Sequence, residues 1–161
     1  MTMSPKQKAG ALALAAALAA PFEGLRQYAY YDPPGILTVC YGSTTDVEKG
    51  KKYSLEECKV RLDADMLKAI EIVEKCTAGK TLTINQVVAM SDMVYNLGPK
   101  PVCDTSQSTM ARHIKSGNIY AACNEMYKWD KARVGGQMVS LPGLTKRRTA
   151  EQALCLKPDV L

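Results

Sequence analysis

The sequence predicts an α+β fold, mostly helical with one small β element near the N-terminus. Three observations carry this. An alanine-rich run, "AGALALAAALAAP", comes first. An aromatic and β-branched stretch follows, interrupted by "DPPG". Beyond residue 53 the spacing of apolar residues becomes helical, twice behind an S/T-x-x-E/Q signature. Strand and helix that segregate along a chain mark α+β rather than alternating α/β architecture. The 161 residues suit one domain with a sizeable core. At 47% hydrophobic and 23% charged residues, the composition argues against a disordered chain.

Each element has a local cause. Residues 6–22 should be helical because alanine and leucine are strong helix formers. Leu14, Leu18 and Leu25 are spaced i, i+4, i+11, which predicts one helical face packed on a core. "YAYY" and "ILTVCY" flank "DPPG", a turn in which proline fixes φ and glycine permits φ > 0, so residues 28–41 read as a hairpin. Ser54 and Glu57 make a capping box ahead of Leu55, Cys58, Leu62, Met66, Ala69 and Val73 at 3–4 spacing. Thr83 and Gln86 make a second box before "VVAMSDMVYNL", and Gly98-Pro99 ends that helix. Shorter helices are expected over 106–116 and 119–129, the second capped by Asn118. "DKARVGGQMVSLPG" reads as a loop, with "VGGQ" as a cleft edge or a plain connection, and 144–155 as the last helix. On that helix Arg147, Arg148 and Glu151 should form a solvated or ion-paired face.

The net charge of +5 favours anionic partners such as nucleic acid, lipid headgroups or cell-wall polymer. No Lys/Arg cluster is interleaved with aromatics, which argues against nucleic acid. Six cysteines occur, at 40, 58, 76, 103, 123 and 155, with no C-x-x-C spacing for zinc or redox chemistry. They predict a disulfide framework and hence an oxidising compartment; the alternative is six buried thiols in a cytosolic chain. Fifteen pairings are possible. The sequential one, Cys40–Cys58, Cys76–Cys103 and Cys123–Cys155, is expected because each bridge would staple neighbouring elements.

Export needs a signal, and "MTMSPKQK" followed by an uncharged run from Ala9 to Phe22 has the order of a basic region and an apolar region. The run is shorter than the roughly 20 strongly apolar residues of a stable membrane span. Cleavage after Ala20 would leave a proline first and remove the helix leading to Glu23. Three readings stand: a cleaved signal, a weakly inserted anchor, and a core helix, the last two being compatible.

The chemistry centres on Glu23, Asp32 and Thr38. Glu23 directly follows the first helix, Asp32 opens the turn, and Thr38 lies on the returning strand. A hairpin brings Asp32 near Thr38, and a helix end aimed at it would add Glu23. Two carboxyls across a cleft are what glycoside hydrolysis requires, one protonated and one ionised. Glu23, between Phe22 and Leu25, is the better acid, and Asp32 in a polar turn the better anion. The hydroxyl of Thr38 can hold a water. Spacing alone also allows plainer roles, a helix-end glutamate and a turn-opening aspartate.

The pattern E-x8-D-x5-T formed by Glu23, Asp32 and Thr38 resembles the catalytic motif of the phage-type lysozymes, glycoside hydrolase family twenty-four. "GILTVCYGST", "YSLEEC", "MVYNLG", "NIYAACNEMYKW" and "GLTKRRTAEQALC" are similar to further family segments, in order, over nearly the whole chain from residue 23. The resemblance implies a lysozyme-like fold with a small N-terminal β lobe and a mainly helical C-terminal lobe. It implies a muramidase acting on peptidoglycan strands as a monomer, without metal, cofactor or nucleic acid. Glu23 would be the acid, with Asp32 and a water held with Thr38 on the opposite face.

The apolar start and the cysteines resemble signal-arrest-release endolysins of phages of Gram-negative bacteria. That implies a periplasmic enzyme first tethered to the inner membrane by residues 1–22, with 23–161 as the catalytic domain. The chain departs from this subgroup in having only Gly10 in its apolar run and in carrying Cys76 and Cys103. Asp32, not cysteine, stands at the catalytic aspartate position, so no cysteine-caging switch is supported there.

Two rivals have other consequences. A lytic transglycosylase would leave anhydro-sugar ends, and a secreted wall-binding module would bind without turnover. His113 is expected at the surface or in packing and Trp129 in the core. Asn96 is either a C-cap or an organiser of the cleft backbone.

Overall fold

A computed structural model describes residues 3–158. Helix α1 spans Pro5–Ala19, with proline in its first turn and a capping box between Ser4 and Gln7. A 3-10 turn, Ala20–Phe22, leads from it to Glu23. Strands β1 (Arg26–Tyr31) and β2 (Leu37–Cys40) pair antiparallel, with Tyr30 opposite Thr38 and Tyr31 opposite Leu37. The Asp32 carboxylate accepts a hydrogen bond from the Ile36 N–H at 2.8 Å, so this side chain closes the turn. Tyr28 bridges to Lys52, which adds one more extended segment to this lobe.

Helix α2 (Leu55–Cys76) starts at the predicted Ser54–Glu57 box, and α3 (Ile84–Leu97) at the Thr83–Gln86 box. Every residue from Val87 to Val94 in α3 is buried, because α3 packs against α1, α2 and α7. It is the central helix, and the core lies around it. Gly98 ends it with φ of 82°, a conformation that favours glycine. Short helices α4 (Lys100–Cys103), α5 (Thr109–Lys115) and α6 (Ile119–Cys123) follow, then a 3-10 turn at Met126–Lys128. The final helix α7 spans Pro142–Leu156.

Two expectations need correction, and a third is decided between its alternatives. The leucine face proposed for the first helix does not form: Leu14 and Leu25 are exposed, and only Leu18 packs partly on the core. Ala11, Ala15 and Ala19 face inward instead, fully buried at i, i+4, i+8. Their small side chains let α1 lie close to α3, which leucines at those positions would prevent. The segment read as a loop contains a second hairpin, β3 (Lys131–Val134) with β4 (Gln137–Ser140). Gly135 and Gly136 both have positive φ, as a tight two-residue hairpin turn demands. The Arg147, Arg148 and Glu151 group is ion-paired but not solvated, since all three are buried.

Disulfides join Cys40 to Cys58, Cys76 to Cys103 and Cys123 to Cys155, with Cα separations of 5.0, 5.5 and 5.6 Å. They link β2 to α2, the end of α2 to α4, and α6 to α7. His113 is half-buried with its Nε2 4.0 Å from Glu125, and Trp129 packs partly buried on the core.

Candidate active site

Glu23 stands where helical backbone gives way to strand. Its N–H still donates to the carbonyls of Ala19 and Ala20, at 3.2 and 3.3 Å, while its own φ and ψ, −95° and 127°, are extended. The side chain therefore leaves the helix end at a fixed angle. One carboxylate oxygen, Oε1, accepts a hydrogen bond from Nη1 of Arg147 at 2.6 Å. The other, Oε2, faces Gly42, where an added Cβ would lie 3.6 Å away. Gly42 has φ of 89°, so the chain just past β2 turns in a way that favours glycine.

A cavity of about 380 Å³ opens beside Glu23 between α2, α3 and the Tyr41–Gly42 segment. Asp65 and Lys68 of α2 line its far side, and Tyr95 and Asn96 of α3 its near side. The Tyr95 hydroxyl donates to the Tyr41 carbonyl at 2.6 Å, tying the end of the β lobe to α3. Burial, and next the negative charge of Glu23, push the Tyr95 phenol well above its ordinary range, so it stays neutral. Burial likewise raises the Asp65 carboxyl, against the pull of Lys68 and Ser43. A second recess of about 480 Å³ lies on the other side of Glu23, toward Leu141, Gly143 and Leu144. Glu23 and Asn96 line both spaces.

Beneath Glu23 lies a buried charge cluster that the sequence reading missed. Arg147 grips Asp92 in a two-pronged contact, Nε to Oδ2 and Nη2 to Oδ1, each at 2.8 Å. Its guanidinium also stands 5.6 Å from the Phe22 ring centre and 6.0 Å from that of Tyr95. Arg148 donates through Nη2 to Asn96 and to Glu151, both at 2.8 Å. Asn96 is therefore not the C-cap, which is Gly98; it lies within α3, lines both spaces and accepts from Arg148.

Burial works against the Arg147 charge, but Asp92 and Glu23 outweigh it and hold its proton more firmly than usual. Burial also opposes ionisation of Asp92, yet the bonds from Arg147 and Glu151 keep its carboxyl below the usual range. Glu151 goes the other way: burial, then its contact with Asp92, push it up to about 9. The available signal was Asp92 itself, an acid inside the apolar run "VVAMSDMVYNL". Such a residue is buried only with a partner.

Asp32 and Thr38 belong to the same hairpin face. With Thr38 opposite Tyr30, Asp32 is its diagonal neighbour. Thr38 is 4% exposed, and its hydroxyl donates to the Ile36 carbonyl at 2.9 Å. Neither space lined by Glu23 includes Asp32 or Thr38.

The chain as a whole is similar to known proteins. A family model described as phage lysozyme matches residues 20–151. The chain belongs to the phage lysozyme family. It is a glycoside hydrolase. A SAR-endolysin of Pseudomonas phage phiKMV is 36% identical over 149 residues, covering 91% of this chain and 90% of that one. Among solved structures, the muramidase domain of SpmX from Asticaccaulis excentricus is 31% identical with a TM-score of 0.80, over 90% of this chain and 96% of that one. An endolysin from Escherichia coli O157:H7 phage FAHEc1 is 30% identical with a TM-score of 0.73, over 97% and 94%.

Proposed function

We propose that this phage lysozyme is an endolysin that hydrolyses the β-1,4 bond between N-acetylmuramic acid and N-acetylglucosamine of peptidoglycan, with Glu23 as the general acid. The observation that carries this is the setting of Glu23. Its carboxyl projects from a helix end, is bonded to Arg147 through one oxygen, and lines two open spaces. A general acid must be held in place and still reach the leaving oxygen.

Asp32 works from the opposite lobe. Its Oδ1 holds the turn, and its remaining oxygen is left to stabilise the oxocarbenium-like transition state or to activate a water with the Thr38 hydroxyl. On this reading one glycan strand runs between the β1–β2 hairpin and the end of α1. The +5 charge suits an anionic wall polymer.

Replacing Glu23 by Gln tests the assignment. Clearing of purified walls should vanish while the helical circular dichroism is unchanged; wall clearing at the normal rate by Glu23→Gln ends the reading. Product ends separate hydrolysis from transglycosylation, since hydrolysis leaves reducing ends and transglycosylation leaves anhydro-sugars.

We further infer that residues 1–22 first hold the enzyme at the inner membrane of a Gram-negative host, facing the periplasm. The relative from phage phiKMV carries the name SAR-endolysin. Among the described residues no helix is long and apolar enough to cross a membrane. At about 1.5 Å per residue, the 15 residues of α1 reach well short of a ~30 Å hydrocarbon layer, so any insertion is weak and release is not steeply uphill. While α1 sat in lipid, Glu23 could not meet Arg147. Fractionation during export checks this: the chain should appear in the membrane pellet before it appears in the soluble periplasm.

A further inference from the structure

Glu23 poses a problem that its own contacts do not solve. A general acid must be held in place and still give up a proton, and the group that holds it, the Arg147 guanidinium at 2.6 Å, would work against that role if its charge were unmatched. The groups facing Glu23 are Arg147 from α7, Tyr95 from α3, and Asp65 and Lys68 from α2 across the cavity. Tyr95 is neutral, and Asp65 and Lys68 carry opposite ionisable groups, so Arg147 is the cation whose charge has to be managed.

Arg147 is not free to give its charge to Glu23. It makes one hydrogen bond to Glu23 and two to Asp92, which is fully buried on the central helix. We propose that Asp92 is a positioning residue for the reaction: it fixes the Arg147 fork and matches its charge, so that the Glu23 carboxyl is held in place by a guanidinium that is already paired. The inference rests on Glu23 being the acid.

The surrounding groups fit this division. Glu151 is fully buried, touches Asp92, and is the carboxyl that burial pushes up. With the proton on Glu151, Asp92 stays ionised on Arg147. Glu151 and Arg148 thus back Asp92, as Asp92 backs Arg147.

The test is Asp92→Asn, which keeps the shape and removes the charge. Arg147 then acts on Glu23 alone and opposes its protonation. The alkaline limb of the pH–activity profile on purified walls should move down by about one pH unit or more. The turnover rate at neutral pH should fall roughly tenfold or more, with KM changed less than about twofold. The double variant Asp92→Asn with Arg147→Gln removes the cation too. Compared with Arg147→Gln alone, it should show little further shift of that limb, because Asp92 acts through Arg147. If Asp92→Asn does not fold by circular dichroism, Asp92→Ser, which admits a water at the site, takes its place.

An equal loss at every pH, with the alkaline limb unmoved, would make Asp92 a purely structural residue and overturn the proposal. A shift of the same size with and without Arg147 would overturn it as well. Wall clearing by Glu23→Gln would instead remove the reading beneath it, and the two failures are distinct.

Discussion

Glu151 is a carboxyl that folding makes harder to ionise. Its ordinary value of 4.5 is pushed up to about 9 by burial and by Asp92. Between those values the folded chain keeps a proton that the unfolded chain has lost. Its contribution is therefore full below about pH 4.5 and declines as pH rises toward 9, by up to about 1.4 kcal/mol per pH unit. Asp92 has the opposite sign: its stabilisation is present above its ordinary value of 3.8 and disappears as pH falls below it. Urea unfolding at pH 5, 7 and 9 should show wild-type stability falling toward pH 9, and Glu151→Gln should flatten that slope. Equal slopes for the two proteins would contradict the assignment of the proton. Gly42 gives a second test. Alanine there would have to adopt φ of 89° and would set a methyl 3.6 Å from Glu23 Oε2. Gly42→Ala should cost about 1–2 kcal/mol of stability and lower wall clearing, and thermal unfolding with a turbidity assay measures both. At this scale the resemblance to phage-type lysozymes picked out Glu23, Asp32 and Thr38 as candidates, where spacing alone also allowed plainer roles. Arg147 and Asp92 stayed hidden because they are 55 residues apart and meet only in the fold.

Elements were legible wherever their signal is local. The Ser54–Glu57 and Thr83–Gln86 boxes mark where α2 and α3 start, because each box satisfies backbone N–H groups within one turn. The β1–β2 hairpin followed from "DPPG" for the same reason. The β3–β4 hairpin carried an equally local cue, two glycines between short strands, but its eight strand residues are largely exposed and lack an alternating apolar face. The face of α1 was not legible, since alanine and leucine differ little in helix propensity and only the partner helix decides which fits. That choice has a consequence. Ala15 is fully buried in a helix close against α3, so Ala15→Leu overpacks the interface and should cost about 1–3 kcal/mol. Because Glu23 hangs from the end of the same helix, the variant should lose activity in addition to stability. Leu14→Ala, on the exposed face, should change neither by much. Thermal unfolding and wall clearing of the two variants give the comparison.

The whole molecule consists of a helical body around α3 and a small β lobe that cannot bury much apolar surface alone. Val39, Cys40, Tyr53 and Cys58 form the lobe's own small core, and the Cys40–Cys58 bridge fastens it to α2. A small unit of this kind depends on its staple. The bridge closes a loop with a sequence separation of 18, for which chain entropy gives about 3 kcal/mol. Cys40 also has φ of 62°, in the left-handed region that non-glycine residues occupy at a cost. The double variant Cys40→Ser with Cys58→Ser loses the bridge and keeps that strained backbone. Its melting temperature should fall by about 6–12 °C. Replacing Cys40 by Gly in the same background accepts the left-handed turn without strain, and part of the loss should return. Activity should fall earlier than global stability on heating, because Asp32 and Thr38 lie in the lobe that the bridge secures, whereas Glu23 is anchored to the body through Arg147. Wall clearing and helical circular dichroism followed over the same temperature range should therefore separate in the serine variant. If the two signals fall together, the β lobe and the helical body unfold as a single unit even without the bridge.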